Sequence, residues 1–224
     1  MTANTLHKFL TEINTNFCFE KNTRVAVAVS GGADSMALMM LIQEWSVLVG
    51  AKVFCLTVNH NLRIEAESEA RYVHGVAKSV NLEHHILSCN IPRGMNLQSK
   101  ARDARINVLT KWCHDNEVKH LFLAHNLNDL VETFFMRLFR GSGLRGLASI
   151  DALNIINNIR VIRPLLNFQR SELEEFLRAR DIVWIEDPSN RNDVFMRSRM
   201  RKMLSSEMIS GIVHPDLLFP RCRE

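Results

Sequence analysis

Three groups of residues in this chain have types and spacings that can do chemistry. The first is Ser30-Gly-Gly-Ala-Asp-Ser35, which follows the valine-rich run Arg24-Val-Ala-Val-Ala-Val29. A short apolar run ended by glycines reads as a fully buried parallel strand, and Met36 to Ile42 after it reads as a buried helix. The unit is therefore strand, glycine turn, helix start. The first amides of a helix have no partner inside it, and the helix dipole adds partial positive charge there, so such a turn binds anions. Gly31 and Gly32 let a phosphate approach the backbone, Ala33 continues the turn, and Ser30 and Ser35 bring hydroxyls. Asp34 repels phosphate unless a cation lies between them, which assigns it to Mg²⁺. The alternative is a plain strand–helix elbow with Asp34 and Ser35 as caps. Neither a Walker Gly-Lys-Ser/Thr ending nor Gly-x-Gly-x-x-Gly is present.

The second group is Asp129 and Glu132, three residues apart, after the apolar stretch His120-Leu-Phe-Leu-Ala124. At a helix start both can face a crevice, as acids for a metal or a proton. The same spacing is also that of a capping box. Placement after a parallel strand, beside a phosphate loop, favours function. The third group is basic. Arg102 and Arg105 share a face of a helix expected from Leu97 to His114, where one could clamp a phosphate. Arg137, Arg140 and Arg145 cluster around a glycine-rich loop, and Arg191, Arg197, Arg199, Arg201 and Lys202 crowd the last fifth. A solvated face explains any one such run; two beside a phosphate loop point to a nucleic-acid partner.

The elements that must position these groups alternate. Strands are expected at 24–29, 53–58, 84–87, 120–124 and 159–163, with helices at 5–17, 36–49, 65–79, 97–114, from a start at Asp129 through Phe139, 171–179 and 194–204. That order predicts an α/β fold with a doubly wound, parallel, five-stranded sheet flanked by helices. Ligands of such sheets sit at the carboxyl ends of the strands, which puts His60 and Arg63 on the rim of Ser30 to Ser35. An ordinary loop histidine is the competing reading of His60. The adjacent His84 and His85 alternate in a strand and are read as structural.

Composition sets the bounds. The 224 residues, 46% apolar and 23% charged with net charge +4, suit one α/β domain with a short appendage. No apolar run approaches the roughly 20 residues that span a bilayer. The N-terminus shows no secretory pattern, so a cytoplasmic protein is expected. Five scattered cysteines with no Cys-x-x-Cys argue against a disulfide framework, a zinc ribbon or a cysteine-held cluster.

The chain resembles the tRNA(Ile)-lysidine synthetases, within the PP-loop ATP pyrophosphatase superfamily. The residues that carry the resemblance are Ala28 to Leu38, Val58 to Arg63, Ala101 to Arg105, Leu123 to Thr133, Arg137 to Leu147, Ile162 to Leu166 and Glu186 to Asn190. The glycine loop alone fits any PP-loop enzyme. Arg-Gly-Ser-Gly-Leu-Arg-Gly at 140–146 and Asp-Pro-Ser-Asn at 187–190 narrow it. The resemblance implies ATP on Ser30 to Ser35 with His60 and Arg105, and Mg²⁺ on Asp34 and Asp129. It implies L-lysine and a tRNA(Ile) with a CAU anticodon as partners, the tRNA held by Arg137, Arg140, Arg145, Arg197 and Arg199. Asp34, Arg105, Asp129, Glu132 and Arg201 are the implied catalytic residues. The domains implied are an N-terminal helix (1–23), a PP-loop domain (24–166), a helical extension (167–208) and a tail (209–224) read as truncated.

Asn59 and Asn128 stand where the family usually has Asp. The assembly is open, a homodimer among the options. Alternatives within the superfamily are a tRNA thiolase and an amidating synthetase. Outside it stands an inactive ATP- or tRNA-binding remnant.

Overall fold

Val25, Ala26 and Val27 are fully buried, which is what makes β1 (Arg24–Ala28) a central strand. The computed structural model describes residues 2–59, 65–89, 97–139, 141 and 150–186. Within them β1 pairs in parallel with β2 (Lys52–Asn59) on one side and β4 (His120–Phe122) on the other. β3 (Glu83–Ser88) extends the sheet beyond β2, and β6 (Ile159–Ile162) extends it beyond β4, both in parallel. The strand order is β3-β2-β1-β4-β6-β5. The chain moves one way from β1 to β3 and resumes on the other side of β1 with β4. The order therefore reverses between β1 and β4, the place where ligands of such sheets bind.

The doubly wound α/β architecture matches expectation, but the sheet has six strands rather than five. β5 (Leu153–Ile156) lies antiparallel to β6 at the edge. Asn157 and Asn158 join the two strands with φ of 51° and 62°, the backbone of a two-residue hairpin turn. That Asn-Asn pair was the available signal. The strand is four residues long and incompletely buried, so its apolar pattern is weak.

Period-two alternation in β1 divides the interior. Val25 and Val27 face a core built from α1 (Thr2–Asn16), α2 (Ala33–Val49), α3 (Glu65–Ser79) and α6 (Arg170–Arg178). Ala26 faces the other side, with Leu109 and Cys113 of α4 (Leu97–Asp115). α2 is buried from Met36 to Ile42 and again at Trp45, and it stops at Gly50 in the left-handed conformation, as its sequence predicts. α6 is capped by Gln169 and Glu172 rather than opening at Ser171, because Glu172 accepts the Gln169 amide at 2.7 Å. Glu172 also takes Lys8 at 2.8 Å, tying α1 to α6. Among the described residues no helix is long and apolar enough to cross a membrane.

One buried and one half-buried imidazole make this fold sensitive to acid. His120, 1% exposed, sits 2.8 Å from Glu20, and burial pushes its pKa down against that acid's pull. His84 lies 2.8 Å from the Thr57 hydroxyl, and burial, helped by His74 and His85, pushes it from 6.5 to about 4. Between the ordinary histidine pKa and about 4, His84 is neutral when folded and protonated when unfolded, and the lowered pKa of His120 acts in the same direction. The unfolded chain then binds more protons, so their contribution is whole above pH 6.5 and is lost as the pH falls toward 4. Urea midpoints should be flat between about pH 7 and 8 and decline from about 6.5 to 4.5. His84→Gln should flatten part of that decline; an unchanged slope in the variant would refute the assignment.

Candidate functional site

The parallel ladder ends at Val29. Its amide donates to Leu56 O at 2.8 Å, and the buried Thr57 hydroxyl donates to its carbonyl at 2.8 Å. The next residues form a hairpin closed by one side chain. Ser35 Oγ accepts the Ser30 amide at 3.1 Å and donates to Gly32 O at 2.9 Å. Its single proton is thereby used, so Ser30 Oγ, 3.1 Å away, is the donor of that pair. Both hydroxyl protons are engaged inside the loop, which leaves the amides as the donors to an anion. No side chain caps α2, whose N-cap is Gly32. Asp34 occupies the first turn, half-buried.

Gly31 has φ +87°, and a Cβ there would lie 2.7 Å from Ile185 Cδ1. The Ile185 amide also donates to Gly31 O at 2.9 Å. Gly32 differs: its φ is −73°, and an added Cβ would meet only Ser30 Oγ at 3.8 Å.

Across the order reversal, α5 (Leu127–Phe139) begins after β4. Asn126 and Asp129 cap each other, with the Asn126 amide donating to Asp129 Oδ2 at 3.2 Å and the Asp129 amide donating to Asn126 Oδ1 at 3.0 Å. One carboxylate oxygen of Asp129 thus serves the helix, but in a box with Asn126 three residues earlier rather than with Glu132, the pair that the spacing suggested. Glu132, on the same helix, is 2% exposed. Asn128 Oδ1 accepts the Arg170 amide at 3.0 Å, and the Leu127 amide donates to Phe168 O at 3.0 Å. Asn128 therefore pins the start of α5 to the start of α6. Asn59 ends β2, and its carbonyl accepts the Cys89 amide at 2.9 Å.

Three arginines and a histidine meet at the same edge. Arg163, following β6, donates from Nε to His125 Nδ1 at 3.3 Å and from Nη1 to Asp151 O and Asn154 Oδ1 at 2.9 and 3.0 Å. Arg102 Nη2 lies 3.4 Å from His125 Nε2, which brings the N-terminal part of α4 to the carboxyl end of β4. Burial, then the charge of Arg102, pushes Arg163 down to about 10 and lowers Arg105 from its ordinary value. Arg105 Nε is buried and meets no acceptor among the described residues. A guanidinium so placed is stable when an anion sits against it.

Of the residues singled out by sequence, the structure places Ser30, Gly31, Gly32, Ala33, Asp34 and Ser35 on one loop, with Asp129, Glu132 and Arg105 on elements that start at the same edge. Arg137 lies in the last turn of α5. His60, Arg140, Arg145, Arg197, Arg199 and Arg201 lie outside the described residues. Sequence reasoning gave His125 and Arg163 no role, although both follow parallel strands directly, where ligands of such sheets bind.

A family model described as a PP-loop domain matches residues 2–208. The chain belongs to the PP-loop family. It is 41% identical over 208 residues to a tRNA(Ile)-lysidine synthase of Orientia tsutsugamushi (strain Boryong), covering 88% of this chain and 47% of that protein. It is 44% identical over 190 residues to one of Wolbachia pipientis wMel, covering 83% and 44%. The chain thus spans less than half the length of these relatives. In three dimensions it resembles the U34-tRNA thiolase NcsA of Methanococcus maripaludis, with TM-score 0.79, 17% identity, and 96% and 74% of the two chains covered. It also resembles an NMN synthetase of Francisella tularensis, with TM-score 0.57, 12% identity, and 94% and 92% covered. At these identities the likeness is one of fold.

The two glycines of this PP-loop should respond differently to alanine. Gly31→Ala meets a positive φ and the Ile185 side chain, and should cost about 1–3 kcal/mol of unfolding free energy. Gly32→Ala meets neither obstacle and should leave thermal stability within about 0.5 kcal/mol of wild type. Calorimetry of both variants checks this; equal losses would mean that the loop is not strained at Gly31.

Proposed function

We propose that this chain binds ATP with Mg²⁺ on Ser30 to Ser35 and ligates L-lysine to the wobble cytidine of a tRNA(Ile) bearing a CAU anticodon. The observation that carries the reading is the first turn of α2, with no side-chain cap, at one sheet edge with Arg105, whose buried Nε meets no acceptor among the described residues. The identity to lysidine synthases supports the choice of substrate.

The chain's own groups fit the reaction. The C2 oxygen of cytidine attacks the α-phosphorus, the bond to the bridging oxygen breaks, and pyrophosphate leaves as an anion. Amides at the start of α2 hold the departing charge, and Arg105 holds the α-phosphoryl oxygens. The lysine ε-amine then attacks C2 and AMP leaves. Asp129 and Glu132 orient the incoming ammonium and accept its proton. Asp34 and Asp129 offer hard carboxylate oxygens, the donors Mg²⁺ takes when it is held by one or two carboxylates and by substrate phosphates. Among the described residues no cluster of three or more His, Cys, Asp or Glu forms a protein-only cage, which fits a metal carried with the nucleotide. Mg²⁺, when bound, supplies charge neutralisation between Asp34 and the phosphates. The arginines at 137, 140, 145, 197 and 199 supply tRNA contacts, Arg201 serves the reaction centre, and a cytoplasmic location follows from that substrate.

A thiolase reading finds less support. Burial pushes the Cys55 and Cys113 thiols to about 12, so neither is a thiolate at neutral pH. Exposed Cys18 lies at the far end of the sheet, its carbonyl accepting from Arg160 near the start of β6.

The deciding experiment incubates the chain with ATP, radiolabelled lysine and CAU-bearing tRNA. Label in the RNA supports the ligase; ATP binding without label supports the inactive remnant. Asp34→Asn should abolish pyrophosphate release while circular dichroism stays unchanged, and undiminished turnover would remove the metal role. tRNA affinity should fall steeply between about 50 and 200 mM salt, by roughly tenfold or more. A flat response would take the arginine clusters out of the account.

A further inference from the structure

The segment just beyond α6 lies against the phosphate loop through Ile185 and is anchored to its neighbours on α3 and α6. The Ile185 amide donates to Gly31 O at 2.9 Å. The Ile185 side chain fills the space over Gly31, with Cδ1 2.7 Å from where a Cβ would stand, and Val73 of α3 lines the same space at 3.4 Å. Two residues earlier, the Tyr72 hydroxyl of α3 donates to Val183 O at 2.7 Å. The Arg178 guanidinium lies over the Trp184 ring, 5.3 Å from its centroid, between these two anchors. Residues 183–185 are thus tied to α3, to α6 and to the loop.

The bond to Gly31 O has a consequence for the next amide. In a planar trans peptide the carbonyl and the following N–H point in opposite directions. With Gly31 O committed to the strap, the Gly32 N–H is directed away from it, into the open side of the loop. Both residues flanking this peptide are glycines, so no Cβ resists rotation of the plane, and Gly31 already sits at φ +87°. A rotated plane would present a carbonyl to a phosphate instead of an N–H. Ser35 cannot prevent that rotation, because its bonds go to the Ser30 amide and Gly32 O, on either side of this peptide.

We propose that Val183–Ile185 is a strap that locks the Gly31–Gly32 peptide with its N–H toward the bound phosphate chain, with Ile185 and Tyr72 as positioning residues. The proposal rests on the nucleotide reading above and deepens it. The strap touches the loop's carbonyl side, so its effect is on phosphate affinity rather than on the adenosine moiety.

The test replaces the Ile185 amide by an ester, incorporating the α-hydroxy acid analogue of isoleucine at position 185. This removes one proton donor and keeps the side chain. Inorganic pyrophosphate, ATP and adenosine are titrated calorimetrically against wild type, the ester, Tyr72→Phe and Ile185→Val. The expected result is a roughly fivefold to tenfold loss of pyrophosphate and ATP affinity in the ester, on the order of one hydrogen bond. A smaller loss is expected for Tyr72→Phe, near-wild-type affinity for Ile185→Val, and unchanged adenosine affinity throughout. Pyrophosphate affinity unchanged in the ester overturns the strap while leaving the nucleotide reading intact. Equal losses for adenosine and pyrophosphate also overturn it, because they indicate general loosening. A wild-type chain that binds neither pyrophosphate nor ATP overturns the nucleotide reading and the strap together.

Discussion

Everything at this site depends on where β1 stops pairing. In a continuing strand the Val29 carbonyl would be taken by the neighbouring backbone; here it is taken by the Thr57 hydroxyl. The chain then leaves the sheet without a buried orphan carbonyl, and α2 starts within four residues. Because Ser35 folds back on Ser30 and Gly32, the turn keeps its shape with no side chain in front of the helix start. The result is a fixed turn with no side-chain cap, at the positive end of a buried helix dipole.

The rest of the edge answers that positive end in two ways. Arginine comes from two separate elements, positions 102 and 105 of α4 and position 163 after β6, and burial, then the charge of Arg102, lowers Arg105 and Arg163. Like charges held together at such a cost are stable when an anion is shared among them, which suits a polyphosphate. The acids are held by their own framework: Asp129 by the Asn126 cap, and the helix that carries it by Asn128 and Phe168. The Asn128 bond to the Arg170 amide gives that residue a structural use for its carbonyl oxygen. An aspartate could accept the same bond, so an asparagine here keeps the tie between α5 and α6 without adding charge.

What the sequence made legible follows from the strength of local signals. The buried valine run, the Ser-Gly-Gly-x-Asp-Ser turn and the left-handed stop at Gly50 are each dictated by residues within a few positions, and each stands in the structure as expected. β5 was not legible because four incompletely buried residues carry little pattern, and the Asn157-Asn158 turn that creates it is a weaker signal than Asn-Gly. His125 and Arg163 were hidden for a different reason. Their meeting at 3.3 Å spans 38 residues and depends on β4 and β6 being neighbours. The contact of Ile185 with Gly31 is longer still in sequence, and no local rule marks an isoleucine as part of a phosphate loop.

The central claim is that backbone amides at the start of α2, together with Arg105, receive the phosphates of ATP. Amide chemical shifts of the ¹⁵N-labelled chain, followed as MgATP is added, test it most directly. The account predicts that the largest perturbations fall on Gly31 to Ser35 and that the Arg105 Nε–H resonance becomes protected from exchange. Saturable binding with those signals unmoved, and the perturbations gathered elsewhere on the sheet, would contradict it.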